Sequence, residues 1–231
     1  YSIAVVSKKN MLALIDTNGT FLTDFSLNRI DSFSCNWAHA VDEKGPLMLH
    51  YTGKQIRLNP DYYESTPFEN GISRLKFDGK YGYIDTTGNT LIEFEFKKAT
   101  SFQNGYAFVK NFKGDAYCIN RKGEKVFNYQ GKVMSGFKEG RAVVTRNGKS
   151  FYLDTLGRSV FDNGFKKALP FSENVGRVKI GKKWAVINEF GHILNTPKYV
   201  KIRNFNCEHT VVKRSGSYGL FAENGDVVLA V

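Results

Sequence analysis

Short runs of alternating apolar and polar residues recur along the whole chain, and each run stops a few residues before a glycine. YGYID, residues 81–85, followed by Thr-Thr-Gly, is typical. Runs rich in β-branched and aromatic residues with a period of two predict β-strands. Strands of this first type are expected at LALID, YGYID, AYCIN, FYLD, WAVIN and YGLFA, residues 12–16, 81–85, 116–120, 151–154, 184–188 and 218–222.

A turn and a second strand follow each first strand. Five of the six first strands end in Asp or Asn, whose side chain can accept a hydrogen bond from the backbone two residues on and start a turn that glycine completes. We therefore interpret Asp16, Asp85 and Asp154 as turn caps; a pair of acid/base carboxylates would have to lie closer together than separate repeats allow. The second strands are predicted at TLI, KVF, SVF and HIL, residues 90–92, 125–127, 159–161 and 192–194.

Two further strands complete the unit. A third strand is predicted around a recurring phenylalanine, as in FKKATSF (residues 96–102) and FKKALPF (residues 165–171). A tight turn with a glycine free to take positive φ comes next, at Gly71, Gly105 and Gly140. The fourth strands are ISRLK, YAFVK, RAVV, GRVKI and HTVVK, residues 72–76, 106–110, 141–144, 176–180 and 209–213.

Two independent residue series carry the same period. The glycines of the first turn and the phenylalanines of the third strand are each spaced by 34 or 35 residues. The glycines are Gly19, Gly53, Gly88, Gly123, Gly157, Gly191 and Gly225, and the phenylalanines are Phe33, Phe68, Phe102, Phe137, Phe171 and Phe205. Such a period indicates a repeat array, so we predict a single repeat domain over residues 1–231, with about seven units.

The unit resembles a known family, the WG repeat (also called the KWG repeat) common in bacterial proteins. The resemblance rests on an aromatic-Gly-Tyr-Ile-Asp strand before the turn glycine, a Lys-aromatic segment, Phe-x-x-Gly and an Ala-x-Val strand, best seen in residues 80–110, 147–161 and 182–194. The signature Trp-Gly pair is represented by Tyr81-Gly82, Tyr218-Gly219 and Trp184-Ala185. The resemblance implies a binding or interaction scaffold without a shared catalytic motif.

The strand pattern predicts an all-β architecture of antiparallel four-stranded units. One such unit leaves an apolar face uncovered, so neighbours must stack, either as blades of a propeller-like ring or as rungs of an open β-solenoid. The chain begins on a fourth-type strand (Ile3–Ser7) and ends on a second-type strand (Val227–Val231). These complementary ends favour a seven-bladed ring closed by pairing the two strands, with the open β-solenoid as the alternative.

Charge is the feature with functional content. Lys and Arg number 33 against 22 Asp and Glu, giving a net charge of +11 and a pI near 9.5, which favours anionic partners. Part of the excess recurs four and five residues before the phenylalanines, where it would form a basic stripe; the alternative is that these lysines serve solubility. The stripe consists of Arg29, Lys97, Lys98, Lys132, Lys166, Lys167 and Lys201.

Candidate chemistry is otherwise sparse. The four histidines fall in different units, and the three cysteines, Cys35, Cys118 and Cys207, form no CxxC or CxxH pattern, so we expect buried thiols, no metal and no cofactor. The nearest approach to a cluster, His209 with Cys207, is interpreted as a loop at a strand edge. Because no hydrolase, nucleotide-binding or zinc-protease motif is present, the protein is not expected to be an enzyme.

The primary hypothesis is therefore a non-catalytic scaffold for protein–protein interaction. The alternatives are an anion-binding or nucleic-acid-binding module that uses the basic stripe, and a carbohydrate-binding propeller. No window approaches the roughly 20 apolar residues of a membrane-spanning helix, and YSIAVVSKKN lacks the layout of a signal peptide. The sequence is compatible with a cytoplasmic protein and with an exported one whose signal has been removed; partner, compartment and oligomeric state are left open.

Overall fold

A computed structural model describes residues 2–230 of the protein. In that part every regular element is a β-strand, all strand pairs are antiparallel, and no sheet closes on itself. The residues fall into two compact units, 1–125 and 126–231. Tyr1 and Val231, the ends of the predicted domain, lie outside the described residues, and the single repeat domain stays a prediction.

Unit 1 contains a six-stranded sheet, a three-stranded sheet and a four-stranded sheet, each with its strands in chain order. The first is β1 (Ile3–Lys8), β2 (Met11–Asp16), β3 (Leu27–Ile30), β4 (Trp37–Asp42), β5 (Gly45–His50) and β6 (Gln55–Arg57). The second is β7 (Ile72–Phe77), β8 (Lys80–Asp85) and β9 (Thr90–Phe96). The third is β10 (Lys98–Ala99), β11 (Tyr106–Lys110), β12 (Ala116–Asn120) and β13 (Lys125–Asn128), which begins at the unit boundary.

Unit 2 contains two three-stranded sheets and a four-stranded sheet, again in chain order. These are β14 (Lys132–Lys138), β15 (Arg141–Arg146) and β16 (Lys149–Leu153); β17 (Lys167–Ala168), β18 (Gly176–Ile180) and β19 (Lys183–Ile187); and β20 (Lys201–Ile202), β21 (His209–Arg214), β22 (Ser217–Ala222) and β23 (Val227–Leu229). Residues 2–230 contain no helix that is long and apolar enough to span a membrane.

The first and fourth strands form where the sequence predicts them, whereas the third strand was predicted too long. Residues 96–102 are divided between two sheets, because Phe96 ends β9 and pairs with Tyr81, while Lys98 begins β10 in the next sheet. Residues 165–171 behave in the same way: Phe165 bridges to Ser150 of one sheet, and β17 belongs to the next. In both segments the chain passes from one sheet to the next. Only two residues therefore remain in the strand that begins the next sheet, Lys98–Ala99 in β10 and Lys167–Ala168 in β17.

The sheets consequently have three, four or six strands, and the prediction of seven four-stranded units is not confirmed. Some predicted strands are reduced to single bridges. In unit 2 the predicted second strands 159–161 and 192–194 are represented by the bridges Leu153↔Ser159 and Ile187↔Ile193.

The first turn of the repeat is built as the sequence predicts. All seven series glycines have positive φ, between 80° and 103°, and their amides donate to the carbonyl three residues earlier at 2.9–3.2 Å. The caps are also confirmed: Asp16, Asp85, Asn120, Asp154 and Asn188 each accept two backbone N–H groups at 2.8–3.1 Å. The carboxylates of Asp16, Asp85 and Asp154 are therefore structural.

The core lies between consecutive sheets of each unit, with the series phenylalanines inside it. Phe102 packs with Tyr83 of β8 and Ile119 of β12 in one cluster, and Phe171 packs with Tyr152 of β16 and Val178 of β18 in another. From Phe68 to Phe205 the series is at most 5% exposed. Each sheet therefore covers the apolar face of its neighbour, as the repeat pattern requires.

Candidate functional site

The seven residues of the predicted basic stripe are all exposed. Arg29, Lys97 and Lys98 belong to unit 1, and Lys132, Lys166, Lys167 and Lys201 belong to unit 2. Arg29 is neutralised locally, because its Nε lies 3.1 Å from the carboxylate of Asp31. The remaining lysines form no ion pair within residues 2–230.

Some of these lysines face a second lysine across the sheet. Lys201 pairs with Lys213, and Lys213 pairs in turn with Tyr218. Directly opposite residues of antiparallel strands project from the same face, so both ammonium groups belong to one face. Two other sheets repeat this arrangement. We call the three sets the Tyr218 row (Lys201, Lys213, Tyr218), the Trp184 row (Lys167, Lys179, Trp184) and the Ala116 row (Lys98, Lys110, Ala116).

Sequence reasoning did not include the second lysine of each row in the stripe. The signal was present: Lys76, Lys110, Lys179 and Lys213 all stand near the end of a fourth strand, at multiples of the repeat length. Like charges placed directly opposite each other in a sheet are destabilising. The rows nevertheless place two lysines opposite each other at equivalent positions in three of the sheets.

One repeat carries the same row with its charge compensated. Lys76 pairs with Tyr81 on one side and bridges to Tyr63 on the other, and we call this set the Tyr81 row. The neighbouring residue, Glu64, accepts a hydrogen bond from Lys76 Nζ at 2.9 Å and from the Tyr81 hydroxyl at 2.7 Å. The carboxylate thus uses one oxygen for each donor.

The pKa values of Tyr81 and Tyr218 shift in opposite directions, as expected from the charged residues around each phenol. The hydrogen bond to Glu64, with partial burial, raises the pKa of Tyr81, and the donors Tyr81 and Lys76 lower the pKa of Glu64. The pKa of Tyr218 is lowered chiefly by Lys213, whose Nζ lies 4.8 Å from the centre of the Tyr218 ring, and also by the charges of Arg203 and Lys201. The Tyr218 row is therefore electropositive, whereas the Tyr81 row is internally neutralised.

A cleft of about 570 Å³ lies beside the Trp184 row in unit 2. Phe161, Phe190 and Ile193 contribute apolar surface, and the charged lining consists of Lys166 and Lys179 with one carboxylate, Asp162. Phe190 is 70% exposed, and its ring centre lies 6.2 Å from that of His192 in the same turn. The cleft therefore combines exposed apolar surface with positive charge.

The remaining titratable candidates are structural. His39 is buried, its Nε2 lies 2.8 Å from the Ser73 hydroxyl, and burial lowers its pKa to about 4. Burial raises the pKa of Cys118 to about 12. The expectation of buried thiols is wrong for Cys35 and Cys207, which are exposed because they occupy positive-φ turn positions. Within residues 2–230 no three His, Cys, Asp or Glu side chains are placed to hold a metal ion.

Antiparallel sheets with their strands in chain order, formed by a sequence with a period of 34 or 35 residues, define an all-β repeat protein. Three segments of the chain, residues 52–81, 81–111 and 151–184, match the model of the family described as "WG containing repeat". The chain therefore contains repeats of this family. Repeats of this family and the repeat-type β-fold suggest a non-catalytic protein. A comparison with curated protein sequences finds no match.

Solved structures resemble the chain in fold. The computationally designed Ika8 protein is 16% identical, with a TM-score of 0.54 over 99% of this chain and 83% of that one. Kluyveromyces lactis Hsv2p is 13% identical, with a TM-score of 0.52 over 96% and 89%. A eukaryotic initiation factor is 10% identical, with a TM-score of 0.63 over 98% and 72%.

Proposed function

We propose that the protein is a non-catalytic scaffold that binds a protein partner, and that the cleft beside Lys179 receives an apolar side chain of that partner. The observation that carries the proposal is the exposure of Phe190 at the cleft. Exposed aromatic side chains next to a concave surface are typical of interaction sites. The two lysines of the lining favour a partner segment that also carries acidic residues.

A comparison between repeats supports a role in binding for Phe190. The residue before the turn glycine is polar in five repeats and apolar only at Leu156 and Phe190. Those two side chains are 60% and 70% exposed. Because the polar residues at the other five turns form the same turn, neither side chain is needed for it. A large apolar side chain held in water at such a position gains free energy when a partner covers it.

Affinity capture from a lysate of the source organism, quantified by mass spectrometry, tests the proposal. The variant is Phe190→Asn, which installs the residue that stands at this turn position in two other repeats, Asn18 and Asn224. The matched control is Phe112→Asn, which removes an aromatic side chain of 58% exposure from a turn in unit 1. We expect a protein that the wild type and the Phe112 variant retain and the Phe190 variant loses by about tenfold or more. Equal retention by all three chains contradicts the proposal.

As part of this proposal, the repeats form a propeller-like ring of about seven units, with an open β-solenoid as the alternative. Small-angle X-ray scattering distinguishes the two shapes. A compact chain of this length has a radius of gyration of about 17 Å, and a substantially larger value with an elongated distance distribution favours the solenoid.

A further inference from the structure

The Tyr81 row shows how a carboxylate is held on this sheet. Glu64 receives Lys76 Nζ on one oxygen and the Tyr81 hydroxyl on the other, at 2.9 and 2.7 Å. Lys76 Nζ also lies 5.1 Å from the centre of the Tyr81 ring. An ammonium group and a phenol that share one face thus form a two-point site for a carboxylate, with charge-assisted hydrogen bonds.

The Tyr218 row repeats these donors. Lys213 pairs with Tyr218 as Lys76 pairs with Tyr81, and Lys213 Nζ lies 4.8 Å from the centre of the Tyr218 ring. In both rows the tyrosine lies on the strand that follows the lysine's strand, and the lysine Nζ lies near the tyrosine ring. Both donors of the pair are therefore present in the same relative arrangement.

The acceptor is what differs. The amide of Tyr63 donates to the Lys76 carbonyl, and the amide of Val200 donates to the Lys213 carbonyl. The backbone differs after that point, because Glu64 has a positive φ of 53° whereas Lys201 of β20 is paired with Lys213. The next residue is Glu64 in the first case and Lys201 in the second. The position that supplies the carboxylate in the Tyr81 row thus supplies a further positive charge in the Tyr218 row.

We infer that Lys213 and Tyr218, with Lys201 beside them, form a binding site for a carboxylate side chain of an acidic peptide segment. The inference rests on the proposed function for the class of partner, and adds the chemistry that the partner presents. Glu64 is the internal counterpart of the ligand. Glu64 accepts hydrogen bonds from Lys76 and Tyr81. An incoming carboxylate would accept the equivalent hydrogen bonds from Lys213 and Tyr218.

Two further observations support the site. Tyr218 is 54% exposed, so a peptide can reach it, and the lysines around it lower its pKa, which shows that the row favours negative charge. In the same unit the Trp184 row presents Lys167 and Lys179 without an acidic partner within residues 2–230. Unit 2 therefore offers two lysine rows to which a segment with several acidic residues can bind.

The first experiment measures binding of a fluorescein-labelled hexaglutamate peptide to the full chain by fluorescence anisotropy, with hexaglutamine as the neutral probe. The variant Lys201→Glu places a carboxylate at the position of the repeat that Glu64 occupies, four residues before the series phenylalanine. We expect it to weaken hexaglutamate binding by about tenfold or more, the effect of losing one charge-assisted hydrogen bond. Lys149→Glu, an identical charge change at an exposed β16 position outside the rows, should weaken binding less than about threefold.

A reciprocal variant, Glu64→Lys, tests whether the affinity for hexaglutamate can be increased. Glu64→Lys removes the internal carboxylate and opens the Tyr81 row, so we expect tighter binding of hexaglutamate than in the wild type. Glu64→Gln keeps a neutral acceptor and should change the affinity less. Circular dichroism melting of each variant establishes that it is folded before it is scored.

Several results overturn the inference. These are equal affinity for hexaglutamate and hexaglutamine, unchanged binding in Lys201→Glu, and a tenfold preference for a hexathymidylate DNA strand over hexaglutamate, which assigns the rows to polyphosphate. The proposed function is judged separately, because Phe190→Asn affects capture of the natural partner and leaves the Tyr218 row intact.

Discussion

Replacing a turn glycine by alanine should have very different costs at two equivalent positions of unit 1. Gly19 and Gly53 have almost the same positive φ, 80° and 89°. A Cβ built on Gly19 meets no atom within 4 Å, whereas one built on Gly53 lies 2.1 Å from the carbonyl oxygen of Leu22. The two variants therefore share the conformational cost of positive φ and differ in the contact with the preceding repeat.

The magnitudes follow from these two contributions. An L-residue in the left-handed region costs about 1–2 kcal/mol, and we expect Gly19→Ala to lose about that amount. Overpacking adds about 1–3 kcal/mol, and the clash at Gly53 is with backbone, which cannot rotate away. We therefore expect Gly53→Ala to lose about 2–5 kcal/mol. The difference between the variants measures how closely the first turn approaches the preceding repeat.

Urea unfolding followed by tryptophan fluorescence measures the difference. The chain has two tryptophans, and Trp37 lies in the same sheet as the strands that flank Gly53. A Trp184→Phe background leaves Trp37 as the reporter for unit 1, and both alanine variants are made in it. Equal midpoints for Gly19→Ala and Gly53→Ala, or a larger loss for Gly19→Ala, would refute the packing argument.

Three other predictions follow from the hydrogen bonds and charges. Partial burial opposes ionisation of Asp85, but hydrogen bonds from Thr87 and from backbone amides outweigh it and lower its pKa. This stabilisation is present above the unfolded pKa near 3.9 and is lost as pH falls through the lower folded pKa, so the wild type's advantage over Asp85→Asn in urea should shrink between pH 7 and pH 2. The Glu173 carboxylate accepts the amides of Cys207 and Glu208 at 3.1 and 2.6 Å; we expect Glu173→Ala to lose about 1 kcal/mol by thermal unfolding, and a loss no larger than that of Glu43→Ala would contradict this. The pKa of the Tyr218 phenol should rise in Lys201→Glu, because a carboxylate replaces a positive charge, and an NMR titration that shows no rise would contradict the assignment of the row.

The turn and the core were predictable from the sequence because each rests on a residue type with a single physical use. Glycine is needed where φ is positive, Asp or Asn accepts the amides of the turn, and the recurring phenylalanine fills the space between two sheets. Gly82, in the family's signature pair, belongs with them: a Cβ there would lie 2.7 Å from the Phe94 ring. In each case one local interaction decides the residue.

The third strand and the lysine rows were less accessible to sequence reasoning. Whether Phe96 and Lys98 belong to one strand depends on where the chain leaves a sheet, and the alternating pattern is the same on both sides of that point. The pairing of Lys201 with Lys213 depends on register, which apolar alternation defines only to within two residues. The exposed turns at Cys35 and Cys207 show the same limit, since a thiol is compatible with both core and surface.

Comparing equivalent positions of the repeats shows which residue types the fold requires and which positions accept several types. The series glycine and phenylalanine positions keep one residue type in every copy, because the turn and the inter-sheet core leave no alternative. The position of Glu64 and Lys201 accepts opposite charges, and the turn position of Asn224 and Phe190 accepts both an amide and an aromatic ring. In both repeats the amide of the preceding residue, Tyr63 or Val200, donates to the carbonyl of the opposite lysine, so this hydrogen bond does not depend on which charge follows. The choice of charge at this position is therefore available for binding, and the neutralised Tyr81 row and the open Tyr218 row are two uses of one site.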